Sequence, residues 1–529
     1  TTGAPASARR SGRFPTEETR TEGSPEGDKC PDRLALVARR WLTRMGGRGA
    51  GCYSSEKRVR QHSRGRAIKR RMGDVKQLQS HLACPRCDKT PLAFDDGQFR
   101  CEACKIDFPD IDGIPWMFAD PEASLGEWRN RLQFALQQLG HEIAGLDVEL
   151  KDKDLRTLTR RRVERYRKSA EQHRRALQKL LRPVDVHSQG GSYESYLALR
   201  TRLPVDQGLN TYYTNIHRDW AWGEEENEAS LKQIRSVLHD NAELGDVLVL
   251  GAGAGRLAYD IHRQLDCSRL VAVDFNPLLM LVANEMANGK RLSMYEFPIA
   301  PRSLEDDAVL RKLSAPEAAG DDFHLVLGDA LRAPFAAGSF DAVVTPWLID
   351  IISEDLPVFA ARINRLLKDN GRWVNFGSLA FADPARARRY SPEETKAIVA
   401  ESGFSDPYVS QATIPYMCSP ASRHGRQERV FSFCAYKERD TGSLPRHKAL
   451  PDWLVTGKEP VPLTQSFRTQ AMTTQIYSFI MSLIDGRRSI EDMAKILEQQ
   501  KLMTREEAIP AIRSFLMRMH DDAQRQQGF

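Results

Sequence analysis

Val247-Leu-Val-Leu-Gly-Ala-Gly-Ala-Gly255 is the stretch on which the fold turns. Its four leading apolar residues predict a central parallel strand, because a strand buried on both faces loses the apolar–polar alternation of a half-exposed one. The glycines follow without a spacer, and Arg256–Leu265 then reads as a helix. Glycine permits a sharp turn and a close approach of backbone to a ligand, and the helix N-terminus adds N–H donors and a favourable field. Glycine spacing alone equally admits a nucleotide-binding dehydrogenase.

The following strands separate the two readings. Leu270-Val-Ala-Val-Asp274 ends in an acid about twenty residues after the glycines, where a carboxylate can accept hydrogen bonds from both hydroxyls of a ribose. Phe323-His-Leu-Val-Leu327 leads to Gly328-Asp329, Ser339–Thr345 is a fourth strand, and Gly371–Gly377 is a fifth, preceded by the helix Leu356–Leu367. No nicotinamide half is evident. This order predicts an α/β, Rossmann-like, doubly wound domain over 211–437, of the class I type that uses S-adenosylmethionine. Gly251, Gly253 and Gly255 then pass under the cofactor, Asp274 holds its ribose, and Asp329 stands where such enzymes commonly meet the adenine amino group.

The flanks sharpen the reading. Ile216-His-Arg-Asp-Trp220 precedes the core, the first turn continues as Gly255-Arg-Leu-Ala258, the fourth strand runs into Trp347-Leu-Ile-Asp350, and the fifth reads Trp373-Val-Asn-Phe-Gly-Ser-Leu379. Over about 205–437 these elements resemble the carnosine N-methyltransferase family, whose members methylate an imidazole nitrogen of a histidine-containing dipeptide. The resemblance implies that Arg218 holds the methionine carboxylate and that Asp350 contacts the acceptor imidazole as the catalytic acid–base group. It also implies acceptor contacts for Asn375 and Tyr416. Asp274 stands in place of the family's usual Glu. Ala382 follows Phe381 where the family has an aromatic-His pair, so a histidine that contacts substrate in the family is absent here. Arg423-His-Gly-Arg426 either lines a substrate mouth or forms a solvated hairpin loop.

Nine cysteines are present, and four form two tight pairs: Cys84-Pro-Arg-Cys87 and Cys101-Glu-Ala-Cys104. Two such knuckles can aim four thiolates at one ion, so a closed, structural four-cysteine zinc site is expected over 78–120. That pattern suits a reducing compartment better than a disulfide framework does. Phe108-Pro109 and Asp112-Gly-Ile-Pro115 resemble the ending of small zinc ribbons that precede or partner bacterial and translation-linked methyltransferases.

Residues 122–210 predict a helical connector. Its basic part, Arg156–Arg182, either meets an acidic partner or RNA or packs one stripe on the next domain with its charges solvated. A linker is expected at 438–462. In 463–529, three amphipathic segments, with Asp485-Gly486 as a turn and Ser489 as an N-cap, resemble winged-helix peptide-chaperone modules. They suit peptide or partner-protein binding, or a structural appendage.

The net charge of +6 is carried by residues 1–71, which hold 18 Lys and Arg against 7 Asp and Glu. The remaining chain is net negative by 5, so the folded part gives no charge argument for nucleic acid. This tail shows no helical or strand period and is expected to be disordered. It is either a native basic arm or sequence upstream of a start at Met72. No apolar run approaches the ~18–20 residues that span a bilayer, and no secretory leader is seen, so a cytoplasmic protein is expected.

The expected function is N-methylation of an imidazole-type nitrogen in a small molecule or histidine-containing peptide. The alternatives are methylation of RNA or of a translation protein, and a non-catalytic scaffold or peptide-binding protein. The RNA reading lacks an Asn/Asp-Pro-Pro-aromatic motif: the fourth strand ends in Thr345-Pro-Trp-Leu-Ile-Asp350.

Overall fold

The computed structural model describes residues 73–186, 212–238, 242–382, 385–442 and 460–527. The basic tail, the Met72 start and most of the expected linker therefore lie outside the described residues.

The strands are β1 Ala93–Asp95, β2 Gln98–Cys101, β3 Ile106–Phe108, β4 Asp110–Ile111, β5 Ile114–Met117, β6 Glu243–Leu250, β7 Asp266–Asp274, β8 Arg291–Glu296, β9 Val309–Ser314, β10 Phe323–Gly328, β11 Phe340–Pro346, β12 Leu367–Gly377, β13 Tyr408–Tyr416 and β14 Arg426–Tyr436. Nine form one sheet in the order β13-β14-β12-β11-β6-β7-β10-β5-β4. The run from β12 to β5 is parallel throughout, and β14, β13 and β4 are antiparallel additions at the edges. From β6 the chain winds outward through β7 and β10, then returns to β11 on the other side of β6. That reversal is a topological switch point, and open α/β sheets bind ligands beyond the carboxyl ends of the strands at such a point.

The apolar run that predicted β6 supplies both layers of the core. Val247 and Val249 join the core under the helices Pro121–Glu149, Glu224–Val237, Arg256–Gln264 and Pro277–Ala287, while Leu248 and Leu250 join the opposite core under Leu356–Leu366 and Pro392–Glu401. The two-residue period of a strand makes this division, and helices on both faces make the sheet doubly wound. One layer has a gap: between β10 and β11 the chain makes only the 3-10 turn Ala330–Arg332. Leu78, Leu82, Phe99 and Phe108 of the cysteine-bearing unit pack there against Val326, Phe335 and Phe340.

That unit is thus no detached module. Asp112 and Gly113, both at positive φ, turn β4 into β5, and β5 pairs in parallel with β10 through Trp116↔Leu327 and Met117↔Gly328. Asn284 Nδ2 donates to the Asp112 carbonyl at 2.9 Å and pins the turn to the helix Pro277–Ala287.

The expected connector also belongs to the core. Its part from 187 to 210 lies outside the described residues; the described part forms two helices, Pro121–Glu149 and Thr157–Leu180, and Trp128, Leu132 and Leu136 of the first lie in the same apolar cluster as β6. The arginines of the second are engaged within the chain. Arg162 meets Asp307 at 3.3 Å, Arg165 donates to the Glu305 carbonyl at 2.6 Å, and Arg167 meets Asp147 at 2.9 Å. The packing alternative fits these contacts.

Residues 460–527 are three helices, Gln465–Ser482, Ile490–Gln499 and Arg505–Gln527, around Ile480, Met493, Leu497, Ala508 and Ile512. Ser489 caps the second as expected, in a capping box with Asp492. No strand occurs among these described residues, so the wing of the expected winged helix is not formed there. The β8–β9 hairpin, inserted before β10, was not legible from sequence.

Candidate active site

The glycine turn is held from beneath. The amides of Gly251 and Ala252 both donate to the Val273 carbonyl at 2.9 Å. Gly251, Gly253 and Gly255 have φ of 75°, 60° and 89°, a region where a side chain is strained. Their surroundings differ. A Cβ on Gly255 would stand 2.9 Å from Ala283 Cβ and one on Gly251 3.1 Å from Leu348 Cδ1, whereas one on Gly253 would meet nothing within 4 Å. The outer glycines answer to packing; the middle one borders open space.

Gly253 N–H donates to Asp274 Oδ2 and Asn276 N–H to Asp274 Oδ1, each at 2.8 Å. Burial pushes the Asp274 carboxyl up to about 6, against the pull of these N–H donors. Asp329 caps the turn after β10 by accepting from Leu331 N–H at 2.9 Å. In that turn Arg332 donates to the carbonyls of Pro85 and, at 3.0 Å, Arg86, inside the first cysteine knuckle.

Arg218 opens a π-helical turn, Arg218–Trp222. Gly223 is fixed by it, since a Cβ there would lie 2.3 Å from the Arg218 carbonyl oxygen. Two contacts fasten the turn to the glycine loop. Trp220 Nε1 donates to the Ala254 carbonyl at 2.8 Å, and Arg256 Nη1 donates to the Asp219 carbonyl at 3.0 Å. Arg256 is itself held by Asp260 at 2.8 Å and Glu224 at 3.0 Å. The Arg-Asp-Trp and Gly-Arg-Leu-Ala motifs are therefore one mechanical unit. The roles of Trp220 and Arg256 were missed in the sequence, although both sit in those motifs. Arg218 pairs with Asp219 at 2.7 Å and Glu226 at 3.4 Å; burial works against its charge, and the two carboxylates more than offset it.

At the end of β11, Trp347 has φ 50°, donates its amide to the Phe376 carbonyl at 2.7 Å, and lies so close to Gly377 that a Cβ there would come within 2.9 Å. The chain is thereby folded back toward the end of β12. Asp350 caps no helix: the next one starts at Leu356, with Asp355 at its N-cap. Asp350 Oδ2 instead accepts from Ser378 Oγ and, at 3.0 Å, from Ala380 N–H. Burial raises its pKa and these donors restrain the rise. Ser378 directly follows the fifth-strand glycine, a position that sequence alone gave no reason to single out.

Tyr416 joins this cluster. Its ring centroid lies 4.8 Å from that of Trp347, and the Arg426 guanidinium sits over the ring at 4.5 Å. Arg218 and Glu226 both act on its hydroxyl electrostatically. Asn375 does not join. It is 1% exposed, and its amide lies 3.0 Å from Thr345 Oγ1, to which Trp373 Nε1 also donates. It braces β11 against β12, which departs from the acceptor contact expected of it.

Cys84, Cys87, Cys101 and Cys104 present sulfur atoms all within 4.8 Å of one another. The pairs Cys84–Cys104 and Cys87–Cys101 stand at 4.0 and 3.5 Å. Zinc–sulfur bonds of about 2.3 Å in a tetrahedron put sulfurs ~3.8 Å apart, so the donor set fits zinc.

A family model described as carnosine N-methyltransferase matches residues 205–436, under half of the chain. The carnosine N-methyltransferase of Dictyostelium discoideum is 29% identical over 146 residues, which is 25% of this chain and 31% of that protein. The chain thus aligns with about a third of the length of that curated relative. Similar solved structures include Haemonchus contortus phosphoethanolamine N-methyltransferase 2, at 17% identity over 43% of this chain and 57% of that one, with a TM-score of 0.29. The Bacillus subtilis YcgJ protein is similar at 16% identity over 40% of this chain and 99% of that one, with a TM-score of 0.28.

Proposed function

We propose that the chain is an S-adenosylmethionine-dependent N-methyltransferase acting on an imidazole-type nitrogen of a small molecule or histidine-containing peptide. The observation that carries this is the convergence, at one sheet reversal, of an open-faced Gly253, a carboxylate at Asp274, and a buried Asp350 held by Ser378 and Ala380. The family match over 205–436 supports it.

The cofactor, when bound, supplies a methyl group on a sulfonium, open to in-line displacement. The chain's part is orientation. Gly253 leaves room for the cofactor, Asp274 accepts from its ribose hydroxyls, and Asp329 faces its base. Arg218 takes its carboxylate in a forked pair, sharing charge with Asp219 and Glu226. Asp350 holds the ring N–H of the acceptor, so that the other nitrogen keeps its lone pair for attack, and accepts the proton released. Trp347 and Tyr416 wall the acceptor, and the four cysteines hold a structural zinc ion.

The test is product mass. Full-length chain incubated with S-adenosylmethionine and a panel of histidine-containing dipeptides and imidazole amines should give an acceptor heavier by one methylene and one S-adenosylhomocysteine per transfer. Cofactor binding with no transfer to any imidazole compound would overturn the acceptor assignment.

A further inference from the structure

Glu226 stands in the first turn of the helix Glu224–Val237 and is 4% exposed. Its two carboxylate oxygens face different parts of the site. Oε1 lies 3.4 Å from Arg218 Nη1, and Oε2 accepts from the Met417 N–H at 2.7 Å. Arg218 is the group assigned to the cofactor's carboxylate, and Met417 directly follows Tyr416 of the acceptor wall. We infer that Glu226 is a positioning residue that couples the two halves of the site, so that cofactor and acceptor each strengthen the binding of the other. The inference rests on the roles proposed above for Arg218 and Tyr416.

The arm toward Arg218 is the looser one. Asp219 takes one edge of the guanidinium, with Oδ1 2.8 Å from Nε and 2.7 Å from Nη2. Nη1 faces Glu226 across a gap longer than a charge-assisted hydrogen bond, which runs about 2.7–2.9 Å. A ligand carboxylate arriving at Nη1 draws on the same positive charge. Glu226 then has a smaller share of it and leans harder on its other donor, the Met417 N–H.

The arm toward Met417 is placed where tightening it matters. Met417 has φ 55°, a conformation uncommon for a residue with a side chain, so its backbone needs holding. The bond from Glu226 supplies that hold across 191 positions of sequence. The same helix packs along β13, where Gln233 Oε1 stands 3.5 Å from Ser410 Oγ. Helix and strand thus form one body, and Met417 lies at its exit toward the acceptor.

The wall itself feels both charges. Tyr416 stacks on Trp347 at 4.8 Å, three positions before Asp350, and Arg218 and Glu226 act in opposite senses on the Tyr416 hydroxyl. Burial raises the Glu226 carboxyl, while Arg218 and the Met417 N–H both pull it back. One buried carboxylate is therefore shared between two partners, and a change at either alters its hold on the other. Coupling of this kind is reciprocal: whatever factor the cofactor adds to acceptor affinity, the acceptor adds to cofactor affinity.

The experiment is amide hydrogen exchange on the full chain, with and without S-adenosylhomocysteine, read over peptides that contain Met417, with calorimetry and melting temperatures on the same preparations. In wild type, S-adenosylhomocysteine should slow exchange at Met417 and tighten β-alanyl-histidine, each by about tenfold. Glu226→Gln keeps an acceptor for the Met417 N–H but has no charge to redistribute. It should bind S-adenosylhomocysteine at least as tightly as wild type and lose both effects. Glu226→Asp keeps the charge on a shorter arm that cannot span both partners; it should lose them too, and it carries the test if the amide variant melts early. Protection at Met417 that survives in both variants, or that never forms in wild type with S-adenosylhomocysteine bound, would overturn the coupling and leave the cofactor reading standing. No binding of S-adenosylhomocysteine to folded wild type would overturn both. Glu226-dependent protection with no binding of any imidazole compound would uphold the coupling to the wall and sink the imidazole reading alone.

Discussion

Arg332 and Arg86 lie in separate parts of the sequence, yet the guanidinium of one holds the backbone carbonyl of the other at 3.0 Å. A second bond from Arg332, to the Pro85 carbonyl, doubles the grip. Asp329 begins the turn that carries Arg332, and Cys84 and Cys87 flank the carbonyls it holds. The four-cysteine site and the acid assigned to adenine are therefore ends of one short mechanical chain. Replacing Arg332 by Ala should leave metal content unchanged, cost about 2 kcal/mol of stability, and weaken S-adenosylhomocysteine several-fold. Metal analysis, thermal melts and calorimetry on the same preparation check this. Cys84→Ser should lose the metal and produce the larger loss of both stability and affinity.

The glycine turn predicts a dissociation of stability from binding. Gly253→Ala places its methyl in open space, so its cost to the fold is only the backbone strain of a positive φ, about 1 kcal/mol. It should nonetheless weaken the cofactor markedly, because that space is the one proposed for the cofactor. Gly255→Ala drives a methyl against Ala283 and should depress the melting temperature much more. Equal melting losses in the two variants would contradict this assignment of roles.

Asp274 predicts a pH dependence. With its carboxyl raised to about 6, it is ionised at neutral pH and takes up a proton as the pH falls through that value. On the proposed role of Asp274, the proton removes an acceptor for the ribose hydroxyls. S-adenosylhomocysteine affinity should be flat above pH ~7 and fall by up to about tenfold per unit below ~6. Asp260 is also raised to about 6, so the informative quantity is the difference between wild type and Asp274→Asn, in which this component should vanish.

Asp350→Asn keeps an oxygen for Ser378 and Ala380 but cannot take a proton. Cofactor affinity should be unchanged while turnover drops by about 10²–10⁴-fold. A parallel loss of cofactor binding would show Asp350 to be structural.

The features legible in the sequence are those written in local spacing. Val247–Leu250 and the glycines, Asp274 after its strand, and the paired cysteines each lie within a short window, and the structure has the strand, the carboxylate at the turn and the four converging sulfurs. What sequence hid depends on distant partners. Nothing near Asp350 announces Ser378, and nothing near Asn375 announces that Thr345 occupies it. The helices at 121–180 looked like a connector because their polar faces are long; only the core reveals that Trp128, Leu132 and Leu136 are buried against the sheet. Helical period was equally clear at 465–527, but it carried no information on whether a wing would follow.

The parallel pairing of Trp116 with Leu327 has a consequence for the order in which the chain acquires its structure. The two residues are roughly two hundred positions apart, and such non-local pairing is entropically slow to establish. During synthesis the cysteine-bearing unit emerges long before the strand it must join, with Trp116, wholly buried in the finished protein, still waiting for cover. Metal captured by the four thiols can hold the small unit together through that interval, when no sheet is yet available to it. Closure of the β5–β10 edge then comes late, and a chain interrupted before β10 exposes an unpaired strand and an indole, the features by which nascent chains aggregate.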